Sequence, residues 1–270
     1  MKVFDEKLES LHPYEKLNES DKKKLFCERR HINSFIKKDD SIYHVRKTEL
    51  DCILNELLGE LVSEYFLLPT VKSVLYRGDY TSYCLLNELF TSEDKKYSDI
   101  RLFVDYEMKR NNIDLIDKMD RIYDKENNRI YSIKKECYNS VVLKLKKLII
   151  RDFITSTNDR YIGNLMFVYD KSFVDMMPVY DYEYSFDYGM CWAYTDIFVY
   201  FFNDKKIVEY FRKDDTLQEL LEKAMMLKIK DIIKKLEDEY PIKLSSSNKK
   251  RYDSVVKKRQ DEIKQYKLIR

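Results

Sequence analysis

The sequence predicts an α+β chain whose first third is rich in strands and whose remainder is mainly helical. Three observations predict it. Apolar and polar residues alternate in short runs up to about residue 88, then recur at helical spacing beyond residue 98. Glycine and proline number only four each, which leaves few tight turns and favours long helices and simple hairpins. Apolar residues make up 44% and aromatics 14%, enough to build a core.

Residues 1–30 are polar, with weak helical patterning. In "HINSFIKKDDSIYHVRKT", the runs 32–36 and 42–45 flank Lys-Lys-Asp-Asp and predict a β-hairpin. A helix follows from about Glu49, carried by Leu50, Ile53, Leu54, Leu57, Leu58, Leu61 and Tyr65, and Pro69 ends it. "TVKSVLYRGDYTSYCLLNELF" predicts two strands around Arg77-Gly78-Asp79. The first third therefore reads β-β-α-β-β.

Ser98 and Asp99 are placed to cap a helix carrying Ile100, Phe103, Val104 and Met108. After the polar stretch "DKENNRIYSIKKE", a helix over 136–152 turns Tyr138, Val141, Val142, Leu145, Leu148 and Ile149 inward, with Lys144, Lys146 and Lys147 facing water. Runs 165–169 and 173–177 predict a second hairpin. One long helix is expected from Asp215-Thr216 to just before Pro241, with Met225 and Met226 on its core stripe. The basic tail "NKKRYDSVVKKRQDEIKQYKLIR" reads as a solvated terminal helix.

Charged residues make up 36% of the chain but cancel to +2, so overall charge selects no partner. Only the basic tail keeps nucleic acid open as one. The five cysteines are far apart and form no CxxC or Cys/His cluster, which argues against structural zinc and for reduced thiols in the cytoplasm. "MKVFDEKLES" has no apolar signal core, and no run is long enough for a bilayer. His12, His31 and His44 lack any Ser/His/Asp or Cys/His setting, which argues against hydrolase chemistry.

The chemistry concentrates in "STNDRYIGNLMF" and "MMPVYDYEYSF". Asp159 and Asn164 stand five positions apart in a loop between helix and hairpin, and Asp181 follows the hairpin. Asn and Asp are also favoured at helix caps and turns, so the loop alone has an ordinary explanation. Together, two carboxylates and one amide oxygen make a hard, all-oxygen donor set. Magnesium accepts such a set when phosphates and water complete it. Upstream, a strand ends in Arg46-Lys47 and the next helix offers Glu56, the strand-cation and helix-acid pairing that aims an ammonium group at phosphates.

"NDRYIGN" followed by "PVYDYEYS" resembles the HipA-like kinase family, with its CtkA-type relatives and, more distantly, the phosphatidylinositol kinases. "NELLGELVSEYFLLPTV" resembles the family's helix, and "YCLLNELF" the strand entering the interlobe hinge. The likeness spans residues 35–186. It implies a two-lobed, protein-kinase-like fold, with a small β-rich lobe over 1–88 and a larger, mainly helical lobe over 89–270. It further implies ATP and Mg²⁺ as cofactors. Asp159 would be the catalytic acid at the acceptor hydroxyl, and Asn164 and Asp181 the metal ligands. Lys47 would face the phosphates with Glu56 as its partner, and the backbone at Glu88 and Leu89 would receive adenine.

The implied activity is γ-phosphoryl transfer to Ser or Thr of a protein, including the chain itself, with Ser34 as a candidate site. By the same analogy, an antitoxin-like or regulatory protein is a candidate partner. Three departures stand out. Tyr161 replaces a frequent His, no Gly follows Asp181-Tyr182, and "HINSFIKKDD" has no glycine to cradle phosphates. Two alternatives therefore stay open: a nucleotide-binding pseudokinase, and a kinase for a lipid or small molecule.

Overall fold

The computed structural model describes residues 3–4, 12–13, 35–38, 41–46, 49–77, 83–88, 96–99, 121–124, 129–132, 135–157, 166–169, 174–180, 182–186 and 202–270. The fold is α+β. Six strands, β1 (Val3–Phe4), β2 (His12–Pro13), β3 (Phe35–Lys38), β4 (Ser41–Arg46), β5 (Ser73–Arg77) and β6 (Tyr83–Glu88), form one sheet in the order β1-β5-β6-β4-β3-β2. The first hairpin is tighter than predicted. Lys38 pairs with Ser41, so the ladder absorbs both lysines and leaves only the two aspartates between the strands.

Helix α1 (Leu50–Tyr65) packs against β6 and is buried at every position over 53–63. An amphipathic stripe predicts one buried face. Here the opposite face is covered as well, by helices α2 (Lys135–Ile154), α5 (Ile229–Glu239) and α6 (Ser246–Gln265). Asn55, Glu56, Glu60 and Ser63 of α1 are buried as a result, which is costly unless their polar atoms are bonded.

Ser98 and Asp99, read from the sequence as cap residues, lie at the end of β7 (Lys96–Asp99), which pairs antiparallel with β10 (Met166–Tyr169). β10 and β11 (Val174–Met176) form the expected second hairpin. The polar stretch after residue 120 is itself a hairpin, β8 (Arg121–Asp124) with β9 (Arg129–Ser132). The helix expected over residues 100–108 lies outside the described residues.

The predicted single helix after Asp215 is two, α4 (Asp215–Met226) and α5, preceded by α3 (Lys205–Lys213). Leu227 and Lys228 are extended at the break. Gln260 of α6 donates its amide to the carbonyls of Ala224, Met225 and Leu227, which gives the ending helix partners it would lose by continuing. Met225 packs on the core, but Met226 at the break is exposed.

The basic tail is not a solvated helix. Tyr252, Val255, Val256, Arg259 and Ile263 of α6 recur at helical spacing and are buried, while its lysines take the opposite face. One apolar cluster runs from α1 and β5–β6 through α2 to α6. Tyr240, just after α5, donates its hydroxyl to Ser73 O at 3.1 Å and fastens the helices to the sheet.

With so few glycines, three helices end on non-glycine residues in the left-handed region: Leu67, Ser156 and Lys267, with φ of 54°, 52° and 52°. At each, two reverse bonds satisfy the last carbonyls. Thr157 N donates to Asp152 O and Ser156 N to Phe153 O after α2, and α1 and α6 repeat the pattern.

Candidate functional site

Glu56 is the centre of the described site. It lies on α1 with 2% of its side chain exposed. One carboxylate oxygen takes Nη1 of Arg46, the last residue of β4. The other accepts the backbone N–H of Tyr182 at 2.9 Å. Glu56 therefore ties β4, α1 and the residue after Asp181 to one carboxylate. A cation and a backbone donor stabilise its charge in this buried position.

Arg46 makes an ion pair with Glu56, the acid that the sequence reading paired with Lys47. Its other arm reaches Glu183 Oε2 at 2.7 Å. The guanidinium fork spans two carboxylates at once, which a lysine ammonium does less well. Glu183, where a glycine would stand in a D-F-G kinase, thus has a definite partner. Its carbonyl also accepts Asn55 Nδ2 at 2.7 Å.

Tyr182 is buried and held at three points. Its hydroxyl bonds Ser63 Oγ at 3.0 Å and Thr70 Oγ1 at 2.9 Å, and the Arg151 guanidinium lies 4.0 Å from the ring centroid. Upstream, Val179 N donates to Pro69 O and Val71 N to Val179 O, so the chain before residue 181 is fixed as well. Residue 181 is bracketed on both sides by fixed backbone.

The end of α2 supplies a second buried polar group. Arg151 Nη1 donates to Asp152 Oδ1 at 2.7 Å and to Thr157 Oγ1 at 2.8 Å. Thr157 bonds Ser185 Oγ at 2.7 Å, and Phe186 N donates to Thr155 O. These bonds join the stretch entering the 158–164 loop to the stretch leaving residue 181. Residues 155–157 and 185–186 are therefore anchored to one another.

Among the sequence-predicted site residues, Glu56 and Glu88 are described. Glu88, in β6, donates its backbone N–H to Lys72 O and accepts Ser41 Oγ at its carboxylate. Lys47, Leu89, Asp159, Asn164 and Asp181 lie outside the described residues, as do Ser34 and Tyr161. Among the described residues no group of His, Cys, Asp or Glu could hold a metal ion, and no helix is long and apolar enough to cross a membrane. The sequence reading missed Arg151, and it noted Tyr182 and Glu183 without the partners they have here. The one signal available was charge in an apolar context, "IIRDFI" and "YDYEYSF".

This arrangement is a kinase-like fold. Among solved structures, the proinflammatory kinase CtkA of Helicobacter pylori matches with a TM-score of 0.54 and 14% identity, over 86% of this chain and 88% of that one. HipA of Shewanella oneidensis, solved with HipB and operator DNA, aligns with a TM-score of 0.46 and 11% identity, over 88% of this chain and 59% of that one. No family model matches the sequence, and no curated protein matches it.

Proposed function

We propose that the chain is an ATP- and Mg²⁺-dependent phosphotransferase that acts on a Ser or Thr hydroxyl of a protein. Its two lobes would meet near Glu88, with residues 1–88 on one side and 89–270 on the other. The observation that carries the proposal is the double engagement of Glu56, by Arg46 at the end of a strand and by the backbone next to Asp181. Phosphoryl transfer needs a strand cation, a helix acid and a metal-binding segment kept in register, and Glu56 joins the chain segments that bear all three.

The donor chemistry fits magnesium, since Asn164 and Asp181 offer only hard oxygens. When bound, Mg²⁺ neutralises phosphate charge and ATP supplies the γ-phosphoryl group. The chain's own residues do the rest. Asp159 orients the acceptor hydroxyl and takes its proton. With Arg46 committed to two carboxylates, Lys47 faces the α- and β-phosphates. The backbone around Glu88 and Leu89 receives adenine, the Glu88 N–H itself being engaged by Lys72 O. Transfer rests on positioning and charge neutralisation, with no covalent enzyme intermediate.

Asp159→Ala and Asp181→Ala should each abolish transfer from labelled ATP while leaving the far-ultraviolet circular dichroism spectrum intact. Full activity in both variants refutes the proposal. A second reading, a nucleotide-binding module without turnover, draws on one observation: the described strand cation is already held between Glu56 and Glu183. Thermal stabilisation by Mg-ATP without any turnover in the wild-type chain would select it.

A further inference from the structure

Helix α6 lies outside the stretch that carries the sequence resemblance, yet it bonds to both chain segments of the candidate site. Tyr252 and Arg259 are seven residues apart, two turns along one face, and both are fully buried. The Tyr252 hydroxyl donates to Asn55 Oδ1 at 3.1 Å, and the same amide donates through Nδ2 to Glu183 O. Phe186 meets the Tyr252 ring edge-on, with centroids 5.1 Å apart. The Tyr252 side chain therefore touches the segment after Asp181 by its ring and, through one amide, by its hydroxyl.

Two turns further on, Arg259 Nε donates to Ser156 Oγ at 2.8 Å, and the guanidinium lies 5.2 Å from the Phe153 ring centroid. Its Nη1 pairs with Glu262 at 2.6 Å. Ser156 is the residue in the left-handed region at the end of α2, three positions before Asp159. That conformation is unfavourable for any residue with a Cβ and needs outside support.

Leucine or methionine would fill both places without the cost of desolvating a hydroxyl and a guanidinium. What polar groups add is direction, since a buried hydrogen bond fixes its partner's position as well as its depth. We infer that α6 is the positioning element of the site: Tyr252, through Asn55, sets the segment that follows Asp181, and Arg259, through Ser156, sets the entry to the loop bearing Asp159 and Asn164. What those segments carry rests on the kinase reading, whereas their positioning rests on the bonds alone.

Tyr252→Phe and Arg259→Gln in the full chain test this, read first by amide hydrogen exchange. Tyr252→Phe keeps the ring and removes one hydroxyl. It should speed exchange about tenfold at residues 182–186 and leave α4 unchanged. Arg259→Gln should do the same at residues 155–157, and Ser156→Ala should reproduce it if the arginine variant folds poorly. In turnover, Tyr252→Phe should raise the Mg²⁺ concentration for half-maximal rate about tenfold, with KM for the protein acceptor unchanged. Unchanged exchange in both segments, or an equal rise throughout α4 and α5, overturns the inference. A wild-type chain without phosphoryl transfer overturns the kinase reading instead, and the exchange pattern still decides the role of α6.

Discussion

Gly59 and Tyr182 approach so closely that a Cβ built on the glycine would lie 2.5 Å from Tyr182 Cβ and 2.5 Å from Arg151 Nη2. A mid-helix glycine normally costs about 1 kcal/mol relative to alanine, so Gly59→Ala would stabilise an unconstrained helix. Here the added methyl meets a ring held at three points and a buried guanidinium, neither of which can move freely. The overpacking outweighs the propensity gain, and we expect a net loss of about 1–3 kcal/mol in urea unfolding. Phosphoryl transfer should fall further than stability does, because the displaced ring follows Asp181 directly. A stabilised Gly59→Ala variant would show that Tyr182 does not pack there.

The Arg46–Glu56 pair predicts an ordered series. Arg46→Ala removes the guanidinium from the nearly inaccessible Glu56 carboxylate and one contact from Glu183, and should cost about 3 kcal/mol. Arg46→Lys restores one charge but not the fork, and should recover only part of that loss. Glu56→Gln keeps the shape and an acceptor for Tyr182 N–H, so its unfolding cost should be smaller than that of Arg46→Ala. All three should lower turnover with ATP. If Arg46→Lys is indistinguishable from wild type in both measurements, the two-carboxylate bridge has no energetic role.

Tyr240 carries a pH dependence. Burial first, and then the negative charges of Glu60, Glu239 and Glu64, push its phenol well above the usual tyrosine value. The folded chain therefore keeps a proton that the unfolded chain releases near pH 10. This contribution to stability is complete below about pH 10 and is lost as pH climbs from there toward the folded value. Urea midpoints should hold from pH 8 to 9.5 and fall above it. With 23 tyrosines in the chain, the informative quantity is the difference between wild type and Tyr240→Phe. The variant's midpoint should fall less steeply above pH 10, and parallel curves would refute the assignment.

The parts of the fold legible in the sequence were those whose signal is local. Alternation gave the hairpins β3–β4, β5–β6 and β10–β11, and helical periodicity gave α1 and α2. The failures share a cause, which is that a distant partner decided the outcome. The strand β7 at Ser98 and Asp99 depends on pairing with β10, far along the chain. "RIYD" and "RIYS" flank Asn127-Asn128 as an almost repeated strand pair, a signal obscured by their charge. The helix break at Leu227 depends on Gln260, and the burial of α6 depends on α1 and α2. At the site, residue type and order suggested the strand cation and Glu56. That Arg46 reaches Glu56 depends on strand direction, and the roles of Tyr182 and Glu183 depend on contacts with α1 that no spacing rule contains.

The left-handed helix ends offer a prediction with opposite signs at two similar positions. Leu67 and Ser156 occupy the same place in the same closing motif, each with a Cβ where glycine is normally found. Leu67 is 71% exposed, so little burial is lost on removal of its side chain. Leu67→Gly removes a conformational cost of about 1–2 kcal/mol and adds about 0.5–1 kcal/mol of unfolded-chain entropy. The balance favours the variant by about 0.5–1 kcal/mol, and Tm should rise by about 1–4 °C. Ser156→Gly relieves the same backbone conformation but deprives the fully buried Arg259 of an acceptor, at a cost of about 1–3 kcal/mol. It should therefore lower Tm. If both glycine variants melt higher than wild type, the Arg259–Ser156 bond contributes nothing to stability. If both melt lower, the backbone at Leu67 is not left-handed in solution.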